Sequence, residues 1–214
     1  MTSYNFIDEK TPAKVNDGFC SDEFPAGNYL VMLLMVIVFA AQFLGDPNSL
    51  YLKGLVLKGY SYNGFLGYLW LHTGVMHIAG NLATLAVFGR QTCRKIGDAK
   101  FFIIFVILGS LAAFAHVLLD GRPVIGASGA ICGILGMTVV LSYRKLSLFG
   151  PWIILIWVAV SLAAALVGSP DAYIAHIAGF VAGMLIAAAL AVCNQADCSD
   201  IDHSLKKILI CTIK

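Results

Sequence analysis

Ser128, His176, His77 and Asn81 are the residues of this chain whose types can do chemistry together. A serine beside a histidine is the minimum for an activated nucleophile, because the imidazole takes the hydroxyl proton as the oxygen attacks a carbonyl. A second histidine and an asparagine supply N–H donors for the oxyanion that results, and one such donor is worth about 3–4 kcal/mol in kcat. The chemistry would be acyl transfer. His72 and His116 complete the set of strongly polar groups set among apolar residues.

The surroundings make these few residues informative. The chain has 214 residues, 59% of them hydrophobic and only 12% charged, with a mean hydropathy of +0.85. A soluble domain of this size carries about twice that fraction of charge. Disordered, collagen-like and coiled-coil classes are excluded on the same grounds, which leaves an all-α polytopic membrane protein. Net charge is +2 with no basic block, so nucleic acid is not an expected partner. A polar group inside a membrane helix costs a few kcal/mol and marks a functional site by default.

Six charge-free stretches are each long enough to cross a bilayer and predict six helices, near residues 28–44, 76–89, 101–119, 128–143, 152–167 and 173–193. The runs are continuous rather than alternating, which argues for helices over a barrel. This divides the chain into an N-terminal tail (1–27), a six-helix membrane domain (28–193) and a C-terminal tail (194–214). The first connection, about 46–75, is far longer than the rest and carries Tyr51, Tyr60, Tyr62, Phe65, Tyr68 and Trp70. Composition leaves open a segment lying on the bilayer surface and an irregular external loop. Residues 203–214 mix Lys206 and Lys207 with leucine and isoleucine, and read as a solvated tail rather than a surface helix. Lys and Arg fall eleven to three in favour of the face that holds both termini, so both termini are expected in the cytoplasm. An acidic N-tail speaks against an organelle transit peptide, and no cleavable signal precedes the first span. Four of the six cysteines fall on the cytoplasmic side, Cys193 at that edge and Cys132 within the fourth span. No disulfide framework is expected, and no ligand cluster suggests zinc.

This topology runs spans two, four and six from the external face inward. His77 and Asn81 begin span two, Ser128 begins span four and His176 begins span six, so all lie in one layer below the external surface. His77 and Asn81 are about 40° apart around their helix and share a face, whereas His72 is about 140° from His77 and either precedes the helix or faces elsewhere. His176 lies beside Gly179 and Gly183, and Ser128 beside Gly129, Gly133 and Gly136. These stripes let two backbones approach closely, which predicts that spans four and six touch and bring the Ser128 Oγ near the His176 ring. Ser128 follows Gly126 at a helix start, where unpaired N–H groups and the helix dipole favour an oxyanion. Asp46, Asp120 and Asp171 lie in loops, so a dyad is expected rather than a triad. A single serine in a membrane helix ordinarily back-bonds to a carbonyl, and a single histidine ordinarily packs; it is the coincidence in one layer that argues otherwise. His116 reads as structural. The stretch 126–130 is not the soluble hydrolase elbow, because position 130 is Ala.

Taken in order, His72-x4-His77-x3-Asn81, Gly126-Ala127-Ser128-Gly129 and Ala175-His176-x2-Gly179-x3-Gly183 resemble the motifs of the rhomboid intramembrane serine proteases, over about residues 28–193. The resemblance implies a six-helix rhomboid-like bundle with Ser128 as nucleophile and His176 as general base. His77, Asn81 and the Ser128 N–H would form the oxyanion hole, and His72 would support a water-accessible cavity. The first loop would be half-buried, and span five (Trp152, Trp157) with the 168–171 loop would be a mobile gate and cap. Two positions depart from the family pattern: Trp70 has no neighbouring Arg, and Cys132 stands where an aromatic residue often stacks on the histidine. The chain looks like a compact bacterial form.

The expected function is therefore cleavage of transmembrane segments of membrane-protein substrates, which enter from the lipid bilayer and need helix-weakening residues near the cut. No cofactor and no metal are expected, and the site would open to the external, periplasmic side of a bacterial inner membrane. Two other readings are a non-proteolytic rhomboid-like protein that binds transmembrane clients, and a small channel lined by His77, Asn81 and His176. The oligomeric state is not written in the sequence.

Overall fold

The structure, a computed structural model, describes residues 24–45, 62–142 and 173–212. Among these the extended elements are all helices. Helix α1 spans Ala26–Leu44. Helix α2 (Tyr62–Gly67) continues into a 3-10 turn at Tyr68–Trp70. Helix α3 runs Val75–Ile96, with a π-helical turn at Leu85–Gly89. Helices α4 (Asp98–Leu119), α5 (Ser128–Ser142) and α6 (Tyr173–Thr212) follow. Three of them, α1, α4 and the first 21 residues of α6, are long and apolar enough to cross a membrane, and α2 with α3 forms a fourth candidate bent by 86°. The described part of α5 is apolar but shorter. The predicted fifth span, the 168–171 loop, the start of the first connection and most of the N-terminal tail lie outside the described residues.

The boundaries differ from expectation where charge was taken to end a helix. The sequence places Arg90, Arg94 and Lys95 in a connection, yet α3 carries through them to Ile96. Arg, Gln and Lys are good helix formers; they end the apolar run without ending the helix. Gly97, at φ +86°, ends it, and α4 begins at once. Likewise α6 continues to Thr212, where the sequence suggested a solvated tail.

Helix α5 is the centre of the bundle. From Gly129 to Thr138 every residue is buried, with Leu108 and Ala112 of α4 on one side and α6 on the other. Glycines set both contacts. A Cβ on Gly179 or Gly183 would run into the backbone of Gly129 and Gly133, and one on Gly136 would run into the Phe180 carbonyl. The two helices thus meet backbone to backbone, as small residues permit in a membrane. Thr92 and Thr138 share a buried hydrogen bond (2.9 Å), and the Lys95 ammonium donates to the Leu141 carbonyl at the end of α5. At the start of α1 the Gly27 N–H donates to the Asp98 carboxylate (2.9 Å), an anion at a helix N-terminus.

The first connection is described only from residue 62, and there Tyr68 and Trp70 do not lie at a membrane surface. Tyr68 is buried and its hydroxyl donates to the Gly109 carbonyl (2.7 Å), while Trp70 packs against Phe105. These contacts hold the segment against α4 without a Trp-Arg pair.

Candidate active site

The N-terminal ends of α3, α5 and α6 meet. Ser128 is the first residue of α5, and His176 lies in the first turn of α6. The His176 Nε2 is 2.7 Å from the Ser128 Oγ. The histidine is buried and the serine half-buried. The Gly179–Gly129 and Gly183–Gly133 contacts are what allow this approach: a wider helix spacing would draw the two side chains apart. The His176 Nδ1 is buried with no hydrogen-bond partner among the described residues. Cys132, one turn beyond Ser128, is buried.

Gly126 precedes α5 at φ +121°, a conformation that L side chains rarely adopt. Its N–H donates to the Tyr68 carbonyl (2.8 Å), so that donor serves the fold rather than an incoming oxyanion. A Cβ here would stand 2.7 Å from Cε1 and 2.9 Å from Nε2 of His77, so the glycine is what lets that ring lie against the nucleophile loop. Helix α5 makes its first ladder bond from Ile131 N–H to the Ala127 carbonyl. The N–H groups of Ser128, Gly129 and Ala130 therefore precede the ladder, as at any helix start.

Thr73 lies one turn before His77. Its hydroxyl is 3.0 Å from the His77 Nδ1, and its N–H donates to the same nitrogen at 3.5 Å. A backbone N–H only donates, so Nδ1 accepts and the neutral ring carries its proton on Nε2, the atom that faces Gly126.

His72 sits in the turn between Trp70 and α3, before the helix, and its ring meets that of His77 edge-on at 5.1 Å between centroids. The Asn81 Nδ2 lies 3.0 Å from the His72 Nε2, and the His72 Nδ1 lies 3.2 Å from the Trp70 carbonyl. A carbonyl only accepts, so Nδ1 carries the proton and Nε2 accepts from the Asn81 amide. His72 is completely buried and joined to Asn81.

His116 is structural in this arrangement. Its Nε2 donates to the Arg122 carbonyl (2.9 Å), and its own carbonyl caps the end of α4 by accepting from Asp120 and Gly121 N–H. Arg122 bonds back to Asp120 through two nitrogens (2.6 and 3.0 Å), and its guanidinium holds that carboxyl below the usual carboxylate range. The turn that leads to Ser128 is thereby fixed at its α4 end.

Three contributors were not read from the sequence. Thr73 gave no signal. Tyr68 was taken for an interfacial aromatic. Gln42, in the last turn of α1, is a buried amide in an apolar helix, and the rule that singled out Asn81 applies to it equally. Among the described residues, no three His, Cys, Asp or Glu side chains converge as a metal would require.

Known proteins are similar to this chain. The Rhomboid domain family matches residues 60–193, more than half of the chain. Rhomboid protease GluP of Bacillus subtilis is 33% identical over 181 residues, 78% of this chain and 35% of that protein. Rhomboid-related protein 2 of Mus musculus is 32% identical over 57% of this chain and 46% of its own length. Rhomboid protease GlpG of Haemophilus influenzae is 22% identical over 73% of this chain and 86% of its own. The chain spans about a third to a half of the length of the first relatives it matches. A multi-pass bundle of apolar helices with this domain match over the very helices that meet at Ser128 belongs to the rhomboid family.

Proposed function

We propose that the protein is an intramembrane serine endopeptidase that cleaves transmembrane segments of other membrane proteins. The observation that carries this reading is the 2.7 Å contact between the Ser128 Oγ and the His176 Nε2 at the point where α5 and α6 touch. The proteases named among the relatives support it.

In this reading Ser128 Oγ attacks the scissile carbonyl while the His176 Nε2 takes its proton. The oxyanion is met by the Ser128 N–H at the start of α5, by the His77 Nε2–H and by the free N–H of the Asn81 amide. The tetrahedral intermediate collapses to an ester on Ser128, and the imidazolium gives its proton to the leaving amine. Water then repeats the sequence against the ester, with His176 again as base, and releases the carboxylate product. Among the described residues the His176 Nδ1 has no carboxylate partner, and in this reading Ser128 and His176 act as a dyad.

The full domain would be a six-helix bundle with both termini cytoplasmic, seated in a bacterial inner membrane and opening to the external side. Substrate would enter from lipid, with span five as gate.

The test is cleavage of a fluorogenic transmembrane substrate in liposomes. Ser128→Ala and His176→Ala are expected to reduce it to background; undiminished cleavage by Ser128→Ala would sink the assignment. A client-binding protein without proteolysis would leave Ser128 unlabelled by a fluorophosphonate probe.

A further inference from the structure

Gln42 lies 30 residues before His72, on a different helix from every site residue, yet it grips that one. Its Nε2 donates to the His72 carbonyl (2.8 Å), and its Oε1 accepts from the His72 N–H (3.1 Å). Both backbone groups of one residue are thus taken by one side-chain amide, as a neighbouring β-strand would take them. The amide is buried, so each bond is made away from competing water. Residue 72 belongs to no helix and has no ladder to fix it.

What hangs from residue 72 is a hydrogen-bond chain with one polarity. The His72 Nδ1–H is committed to the Trp70 carbonyl, which leaves Nε2 as an acceptor. That nitrogen takes one hydrogen of the Asn81 Nδ2 and so fixes which way the Asn81 amide faces. The second Nδ2 hydrogen is left for another acceptor. A flipped amide would set its oxygen against the His72 Nε2, two acceptors face to face, and would present no N–H to a substrate oxyanion.

We infer that Gln42 is a positioning residue for the oxyanion donor Asn81, acting through the backbone and ring of His72. The inference rests on the proteolytic reading above. Gln42 touches no reacting atom. It holds the turn at the one place where a shift would let the His72 ring, and with it the Asn81 amide, swing. Because an oxyanion forms only in the transition state, losing this orientation lowers kcat and leaves substrate binding alone.

The experiment compares wild type, Gln42→Met, Gln42→Glu, Asn81→Ala and the double variants on a fluorogenic transmembrane substrate in liposomes, with thermal midpoints recorded alongside. Gln42→Met keeps the volume and removes both bonds. Gln42→Glu keeps the acceptor for the His72 N–H and sets a second acceptor against its carbonyl. Both are expected to lower kcat about tenfold with KM within about twofold, and to have no further effect once Asn81 is Ala. Unchanged kcat, a loss confined to KM, a loss of equal size in the Asn81→Ala background, or failure of both variants to fold would each overturn the inference. Failure of the protease reading is distinct: wild type itself would then leave the substrate uncut.

Discussion

Gly126 is held at φ +121° with the His77 ring against it, and both facts forbid a side chain there. Gly126→Ala has to pay about 1–3 kcal/mol for the backbone conformation and must displace either the imidazole or the loop that presents Ser128. A displacement of about 1 Å in such a site costs about a hundredfold. The expected result is a loss of kcat/KM of that order in the fluorogenic cleavage assay, with the protein still folded by its thermal midpoint. At this scale the sequence was most legible where a polar group stood alone in apolar surroundings. Ser128, His77, Asn81 and His176 stood out because the membrane makes them costly. Thr73 did not, because an exposed threonine before a helix is unremarkable in any chain. Which nitrogen of His72 and of His77 bears the proton is fixed by a carbonyl or an N–H brought in by folding, and no spacing rule reveals that.

The contact of α5 with α6 is an element-scale property, built by Gly129, Gly133, Gly136, Gly179 and Gly183. Gly183→Val puts a branched side chain where the Gly133 backbone lies, and overpacking of this kind costs about 1–3 kcal/mol. The helices must part to admit it, and the Ser128–His176 contact at their ends opens with them. The variant is expected to lose activity together with thermal stability, whereas Val181→Ala, on the lipid-facing side of the same helix, leaves both unchanged. That spans four and six, which are α5 and α6, would touch was readable from glycine spacing alone. The extent of α3 and α6 was not, because hydropathy marks the edge of an apolar environment while helix ends are set by backbone chemistry such as Gly97. The role of Tyr68 depended on the Gly109 carbonyl being within reach, a contact between elements 41 residues apart.

For the molecule as a whole, the proposed orientation is directly measurable. Cys20, Cys198 and Cys211 are expected to react with a membrane-impermeant maleimide only after permeabilisation, and a cysteine introduced by Arg122→Cys is expected to react in intact cells. The reverse pattern would overturn the assignment of cytoplasmic termini. The balance of Lys and Arg made that orientation legible before any fold was known. The wide turn at Leu85–Gly89 was hidden from every such rule. There the Arg90 N–H reaches back to the Leu85 carbonyl, which also accepts from the Asn28 amide (3.2 Å). On an ordinary helical wheel Thr92 falls about 20° from Asn81. The wide turn offsets the later half of α3 by about one residue, roughly a quarter of a revolution. Asn81 accordingly answers to His72 while Thr92 answers to Thr138 on α5. The helix works as two rotors locked at different phases on one shaft, one aimed at the chemistry and the other at the bundle.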